Sequence, residues 1–254
     1  MKANWKIALL CLATLTVVAC KDKKDPFDPG VDPSYVSPIN VKDNSVADWD
    51  ALDQTKVAVS NITDEPYWDG LKQLKVYSDG VYINYLIVFD PTKYTSHAGM
   101  ADGMHLYMDI DLSDATGGFF DEFADAAADF MFEGALFTDT GSPISYSPTK
   151  HRWVGPEGGL PSERIGWEDV WEPVGTIKGE SQFVGDSIIE GRLLVEYISS
   201  NFSEEGFGIG VDLQQNWGSI GLLPQIDAQG ENGEAIGRTN MLKVTFDWPE
   251  EEEE

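Results

Sequence analysis

Apolar and polar residues alternate along several short segments of this chain. The clearest case is the segment 104–111. Its apolar side carries Met104, Leu106, Met108 and Ile110, and its polar side carries His105, Tyr107, Asp109 and Asp111. Because successive side chains of a strand point to opposite faces, the segment is predicted to be a strand with one buried face.

Comparable short apolar or alternating segments recur along the chain. They are 56–59, 71–77, 81–89, 130–132, 188–198, 207–214 and 242–248. Ser78-Asp79-Gly80 between two of them predicts a hairpin turn. Only 121–128 indicates a short helix, and 142–179 is predicted to be loop because it is rich in proline and glycine.

Many short strands with turn residues between them, and no long helical period, are typical of one fold class. The prediction is an all-β protein, a two-sheet antiparallel β-sandwich of the jelly-roll-like kind, with long loops and little helix. The sandwich domain is predicted to span residues 39–249, and the acidic residues 250–254 to form a solvated tail.

The N-terminus indicates export and lipid anchoring. Lys2 and Lys6 precede an apolar stretch that ends in Val17-Val18-Ala19-Cys20. This end resembles a bacterial lipobox, which implies a signal peptide at 1–19, cleavage before Cys20 and lipidation of Cys20. Residues 20–38, charged and interrupted by proline, are predicted to be a tether.

The charged run directly after the lipid cysteine bears on the location of the protein. Lys21-Asp22-Lys23-Lys24-Asp25 resembles the charged export signals of surface lipoproteins in some Gram-negative bacteria. It predicts an outer-membrane protein displayed on the cell surface, in contact with the membrane only through the N-terminal lipid.

The charge of the chain limits its partners. The formal net charge is −27, and removal of Lys2 and Lys6 with the signal peptide makes it −29. Such a surface repels phosphate, so nucleic acid and anionic lipid are excluded as partners, while a neutral or cationic ligand, including a metal ion, is favoured. The two cysteines, Cys11 and Cys20, leave the mature domain without a disulfide or a thiol nucleophile.

Hydrolytic machinery is weakly indicated. Serine catalysis needs a histidine base, the chain has only His97, His105 and His151, and no G-x-S-x-G motif is present. A two-carboxylate glycosidase stays possible because its acids can come from distant strands, but acids are abundant everywhere in this chain. A binding protein is therefore the preferred interpretation.

Carboxylates close to the end of the strand 104–111 indicate a metal site. Asp109 and Asp111 lie on one face of the strand, and Asp114, the Thr116 carbonyl and Asp129 come from the following turn and the next strand. Oxygen-only ligands of this kind suit a structural calcium ion. The alternative is that these acids simply face water in a very acidic protein.

Tryptophans in polar surroundings are the candidates for a ligand platform. Trp153, Trp167 and Trp171 lie in the predicted loop, and Trp217 follows two glutamines and an asparagine. An indole stacks on the C–H face of a sugar ring while nearby polar groups bond its hydroxyls. The alternative for each is a place in the core, which is where Trp248 is expected, at the end of a strand.

The order of these features resembles a known group of domains. The segments that carry the resemblance are 43–52 with Trp49, 71–83, 106–111 and 128–130, within roughly residues 40–215. They resemble the family-9-like carbohydrate-binding modules and the related DOMON-like sandwiches. The resemblance implies a two-sheet sandwich, a structural calcium at Asp109, Asp111 and Asp129, and sugar held between aromatic side chains.

The sequence thus predicts a lipid-anchored surface protein that binds a polysaccharide or oligosaccharide without cleaving it. Trp153, Trp167, Trp171 and Trp217 would contact the carbohydrate, and calcium would brace the loops. The first alternative is a structural or adhesive surface protein that binds another protein. The second, less favoured alternative is a divergent glycosidase or lyase.

Overall fold

The alternating segments pair into two antiparallel β-sheets in a computed structural model of the chain. The structure describes residues 35–62, 70–94, 103–113, 115–118, 127–138, 140–156, 167–215, 218–224 and 241–248, with the side chains of 167 and 168 left aside. The predicted signal peptide, Cys20, most of the predicted tether and the acidic tail therefore lie outside the described residues. Within them, no helix has the length and apolar character needed to cross a membrane.

Twelve strands and three short helices make up the described fold. The strands are β1 (Ala58–Asn61), β2 (Leu71–Ser78), β3 (Tyr82–Phe89), β4 (Gly103–Asp109), β5 (Phe130–Ala135), β6 (Thr149–Trp153), β7 (Trp171–Thr176), β8 (Gly179–Val184), β9 (Ile188–Leu194), β10 (Phe207–Gln215), β11 (Gly218–Leu223) and β12 (Leu242–Val244). The helices are α1 (Ala47–Ala51), α2 (Trp167–Val170) and α3 (Val195–Ile198).

The strands form two sheets that pack against each other, which confirms the predicted all-β two-sheet sandwich. The first sheet has the order β1-β2-β3-β9-β8. The second has the order β11-β10-β4-β5-β6-β7, with β12 beside β10 as its seventh strand. The predicted hairpin is present, since β2 and β3 pair across the turn at Asp79 and Gly80.

The main core lies between the two sheets, where the apolar side of each strand points. The predicted inward residues of β4, Met104, Leu106 and Met108, are at most 1% exposed in this core. They face β2, β3 and β9, whose inner side chains are also buried. Removal of this apolar surface from water is the main stabilising contribution to the sandwich.

The outer faces of both sheets are covered as well. A cluster that includes Ile39, Trp49 and Leu86 packs on the first sheet, and one that includes Tyr107 and Trp171 packs on the second. The side of β4 predicted to be polar is therefore buried too, because other segments of the chain lie over it.

Three local predictions need correction or fall outside the structure. The predicted loop 142–179 contains β6 and β7, which pair with each other, and Pro173 is tolerated because β7 is an edge strand. The predicted strand 188–198 ends at Leu194 and continues as α3. Most of the predicted helix 121–128 lies outside the described residues.

Candidate metal centre and adjoining cleft

Three predicted metal ligands meet where β4 ends and β5 begins. β4 and β5 are antiparallel neighbours with Met108 opposite Phe130, so the residues just beyond that pair, Asp109 and Asp129, lie side by side. The Asp129 N–H donates to the Met108 carbonyl at 2.8 Å. One oxygen each from Asp109, Asp111 and Asp129 lie within 4.8 Å of one another.

Backbone amides hold two of these carboxylates in place. The Ile110 N–H donates to Asp129 Oδ2 at 2.9 Å, and the Leu112 N–H donates to Asp109 Oδ1 at 2.7 Å. Leu112 has a φ of 57°, a left-handed conformation that turns the chain back over Asp109. Such a conformation costs a non-glycine residue about 1–3 kcal/mol, and strain of this kind concentrates at functional sites.

The third carboxylate, Asp111, is held by the turn that follows. Its Oδ1 accepts from the Ser113 N–H at 3.0 Å, and its Oδ2 accepts from the Thr116 hydroxyl at 2.8 Å. The predicted Thr116 therefore lies at the site, and its described contact is made by the hydroxyl, which orients Asp111. The predicted ligand Asp114 lies outside the described residues.

The electrostatics of the cluster favour a bound cation. Burial first, and then the charges of the neighbouring Asp129 and Asp111, together raise the pKa of Asp109 to about 7. Burial, together with the charge of Asp111, raises the pKa of Asp129 to about 6. Both shifts mean that ionised carboxylates are poorly compensated here, and a cation would provide the missing positive charge.

The donor set fits calcium better than a transition metal. All three side chains offer carboxylate oxygens, which hard cations prefer, and the irregular loop suits the tolerant coordination of calcium. Within the described part of the chain, this is the one group of three His, Cys, Asp or Glu side chains with ligand atoms close enough to share an ion. Calcium binding itself stays a proposal.

Two of the four tryptophans of the predicted aromatic platform are buried. Trp171 is 1% exposed and Trp153 is 8% exposed, and their rings pack against each other at a centroid distance of 5.2 Å. They belong to the apolar cover of the second sheet, so the assignment of these two indoles to sugar stacking is corrected. Trp167 begins α2, with nothing described of its side chain, and Trp217 lies outside the described residues.

An exposed indole is found instead at Trp248, which was expected to be core. Trp248 is 60% exposed and packs on Phe246 at a centroid distance of 4.7 Å. Its ring also lies over Gly80, since a Cβ on this glycine would be 2.3 Å from Trp248 Cε3. One side of the ring is thus supported by the fold while much of the residue stays accessible.

Trp248 forms one wall of a cleft of about 650 Å³ at an end of the sandwich. This volume lies in the range of small-molecule sites. The lining combines apolar, hydroxyl and carboxylate side chains. It comprises Tyr35, Gly80, Val81, Leu194, Val195, Glu196, Ser199, Ser200, Phe202, Ser203, Glu204 and Trp248. Sequence patterns did not indicate this site, because its walls come from four distant segments.

The cleft and the aspartate cluster are directly connected. The N–H of Ser203, a lining residue of the cleft, donates to the carbonyl of Ile110 at 2.8 Å. Ile110 stands between Asp109 and Asp111, and its own N–H bonds Asp129. An ion at the aspartates would therefore stabilise the loop that forms one wall of the cleft.

A buried polar row crosses the outer face of the second sheet. His105 lies opposite both Glu133 and Asp212, with His105 Nε2 3.8 Å from Glu133 Oε1 and His105 Nδ1 4.0 Å from Asp212 Oδ2. The neighbouring side chains of His105 and His151 lower the pKa of Glu133 to about 2. Burial raises the pKa of Asp212, which is fully enclosed. The row cross-links three strands with paired polar groups.

Comparisons with known proteins found no relative of this chain. No protein-family model, no curated protein and no solved structure matches the chain. The class that can be stated is therefore the architecture alone, a two-sheet antiparallel β-sandwich. The resemblance to family-9-like carbohydrate-binding modules and DOMON-like sandwiches stays a prediction.

Proposed function

We propose that this chain is a lipid-anchored surface protein that binds glycan, without cleaving it, in the cleft at Trp248. The observation that carries the proposal is the supported and accessible indole in a cleft of about 650 Å³. A sugar ring offers C–H groups to an aromatic face and hydroxyls to polar neighbours. The cleft has both kinds of residue, since Ser199, Ser200 and Ser203 line it together with Trp248.

A structural calcium at Asp109, Asp111 and Asp129 is the second part of the proposal. Its support is the close approach of three carboxylates, the raised pKa values of two of them and the oxygen-only donor set. The hydrogen bond from Ser203 to Ile110 gives this ion a role, since it would hold a wall of the cleft in position. Anchoring through Cys20 at the outer membrane rests on the N-terminal sequence.

A protein-binding function has less support. The apolar surface on the outer faces of the two sheets is already covered by other segments of the same chain. A glycosidase function has one supporting observation, the presence of two carboxylates, Glu196 and Glu204, in the cleft. The test must therefore separate binding from cleavage.

The experiment uses the chain from residue 21 onward, which lacks the lipid. Retention is measured on a panel of insoluble and gel-embedded polysaccharides, with calcium and with chelator, and released reducing ends are measured in parallel. Trp248→Ala should weaken retention on the bound glycan by about tenfold or more, as expected for the loss of one stacking contact. Trp248→Phe, which keeps a ring, should retain part of the binding.

Each outcome leads to a different conclusion. Retention without released sugar, lost in Trp248→Ala, supports glycan binding in the cleft. Released sugar that disappears in Glu196→Gln or Glu204→Gln identifies a glycosidase instead. A folded protein that is retained on no polysaccharide overturns the proposal and favours a protein partner.

A further inference from the structure

The lining of the cleft at Trp248 is divided into a polar part and an aliphatic part. Among the described lining residues, the polar side chains that are not aromatic all come from one segment, 196–204. The aliphatic side chains come from Val81, which directly precedes β3, and from Leu194 and Val195, where β9 ends and α3 begins. These three residues are called the aliphatic lining below.

Pairing of β3 with β9 holds the aliphatic lining in place. Leu194 lies opposite Tyr82, and the Val195 N–H donates to the Val81 carbonyl at 2.9 Å. Val195 belongs to the main core, whereas Val81 and Leu194 are only partly buried and belong to none of the hydrophobic clusters of the described residues. A ligand in the cleft can therefore cover apolar surface that the fold leaves accessible.

The aromatic wall extends the apolar part of the lining. Trp248 and Phe202 both line the cleft, and both pack on Phe246, at centroid distances of 4.7 Å and 5.3 Å. The two lining rings thus belong to one aromatic cluster. Such rings accept the C–H face of a sugar and, like the aliphatic lining, offer no hydrogen-bond acceptor to a hydroxyl group.

The serines of the polar part are held by their own turns. Ser199 Oγ accepts from the Asn201 N–H at 3.0 Å, and Ser203 Oγ accepts from the Glu205 N–H at 3.1 Å. A serine hydroxyl that accepts one hydrogen bond can also donate its own hydrogen. The polar part of the lining therefore presents hydroxyls at fixed positions, which suits the ring hydroxyls of a sugar.

A 6-deoxyhexose matches this division better than an ordinary hexose does. Its ring hydroxyls can meet the serines while its C6 methyl group lies on the aliphatic lining, where removal of the methyl group from water is favourable. An ordinary hexose carries a hydroxymethyl group instead. At the same place its hydroxyl would lose hydrogen bonds to water, and the aliphatic lining has no polar side-chain group to replace them.

We infer that the cleft at Trp248 prefers 6-deoxyhexose units of a glycan, such as fucose or rhamnose, over the corresponding hexoses. The inference rests on the proposed function, because it assumes that the cleft binds a sugar. It adds the chemical class of that sugar. The division of the lining and the accessible aliphatic surface of Val81 and Leu194 carry it.

Matched pairs of methyl glycosides test the inference, because the members of each pair differ only in the hydroxyl at C6. The pairs are the L-fucoside with the L-galactoside, the L-rhamnoside with the L-mannoside, and the 6-deoxy-D-glucoside with the D-glucoside. Dissociation constants are measured by calorimetry or by titration followed by NMR. In each pair that binds, the 6-deoxy member should bind about tenfold tighter, as expected for a desolvated hydroxyl without a partner.

A matched pair of variants locates the effect. Val81→Thr keeps the shape of the side chain and adds a hydroxyl to the aliphatic lining, so it should reduce the preference by about threefold. Val59→Thr makes the same change on β1, at a residue that is 40% exposed and does not line the cleft, and should leave the preference unchanged. Equal effects of the two variants would overturn the inference. The comparison of glycosides on the unchanged protein decides the matter if either variant fails to fold.

The failures of the inference and of the proposed function are distinguishable. Equal or tighter binding of a hexoside, still dependent on Trp248, overturns the preference for 6-deoxyhexose and leaves glycan binding intact. Retention on a polysaccharide that depends on Trp248, with no glycoside of these pairs bound, overturns the preference as well. If neither the glycosides nor any polysaccharide of the panel binds, the proposed function itself fails.

Discussion

A rise in pH should destabilise the calcium-free protein, because the aspartate cluster then becomes charged. In the folded state the pKa of Asp109 is about 7 and that of Asp129 about 6, against 3.8 for an unperturbed aspartate. Between pH 3.8 and about pH 7 the folded state therefore binds more protons than the unfolded state. Stability that is present below the unfolded pKa is therefore lost as the pH rises through the folded pKa values.

The size of the effect follows from the raised pKa of Asp109. A shift of about 3 units corresponds to about 4 kcal/mol, which is a ceiling for this group. Screening by water reduces it, because the cluster is only partly enclosed, and we expect a loss of about 1–2 kcal/mol. For a domain of this size that is a decrease in Tm of about 2–8 °C.

Calcium should reverse this loss. An ion that binds the ionised carboxylates of the folded state stabilises it by about 2.7 kcal/mol at a hundred times its Kd. At about pH 5 protons compete for the same oxygens, so the gain should be smaller there. Thermal unfolding from about pH 5 to about pH 7.5, with calcium and with chelator, measures both effects.

Two variants serve as controls for the cluster. Asp109→Asn removes the buried charge and should flatten the pH dependence and abolish the gain from calcium. Asp50→Asn removes one charge at an exposed position of α1, and should leave both unchanged. If the calcium-free protein instead keeps or gains stability as the pH rises to about 7.5, the account of a desolvated, uncompensated cluster is wrong.

Three further predictions concern other parts of the fold. Trp171→Ala should destabilise the protein by about 3–5 kcal/mol in denaturant unfolding, because the ring is 1% exposed; a change below about 1 kcal/mol would show that the ring is not core. Gly80→Ala should displace Trp248 and weaken glycan retention, since the added methyl would lie 2.3 Å from the indole and the φ of Gly80 is 80°. Unchanged retention would show that Trp248 is not part of the binding site. Glu133 has a pKa of about 2 against 4.5 unperturbed, so its stabilisation is present above pH 4.5 and lost toward pH 2. As the pH falls from 4.5 toward 2, Glu133→Gln should accordingly lose stability less steeply than the unchanged protein. An identical slope in the two proteins would contradict the contact of Glu133 with His105.

The sequence predicted the aspartate cluster more completely than the cleft at Trp248. Asp109, Asp111 and Asp129 were identified because the alternation placed the first two on one face of a predicted strand and the third next to the following one. In the structure β4 ends at Asp109, Asp111 belongs to the turn that follows, and Asp129 directly precedes β5. Such neighbours are brought together by local pairing of β4 and β5, which the alternation of residues indicates. Trp248 was missed because its accessibility depends on Gly80 and on the loop that contains Ser203, both distant in sequence.

The burial of the tryptophans could not be read from their neighbours. Trp153 and Trp171 stand among glycine, proline and acidic residues, which are typical of loops. In the structure they are cross-strand partners on β6 and β7 and cover the second sheet. A side chain in polar sequence is buried when another segment covers it, and local composition carries no information about that segment.

The sequence by itself determined the all-β class, the hairpin at Asp79 and Gly80, the inward face of β4 and the position of the acidic cluster. These depend on the period of two along a strand and on turn chemistry, which are local properties. Only the tertiary structure decided the order of strands in each sheet, the cover on both outer faces and the walls of the cleft. These depend on long-range packing, in which segments far apart in the chain remove each other from water.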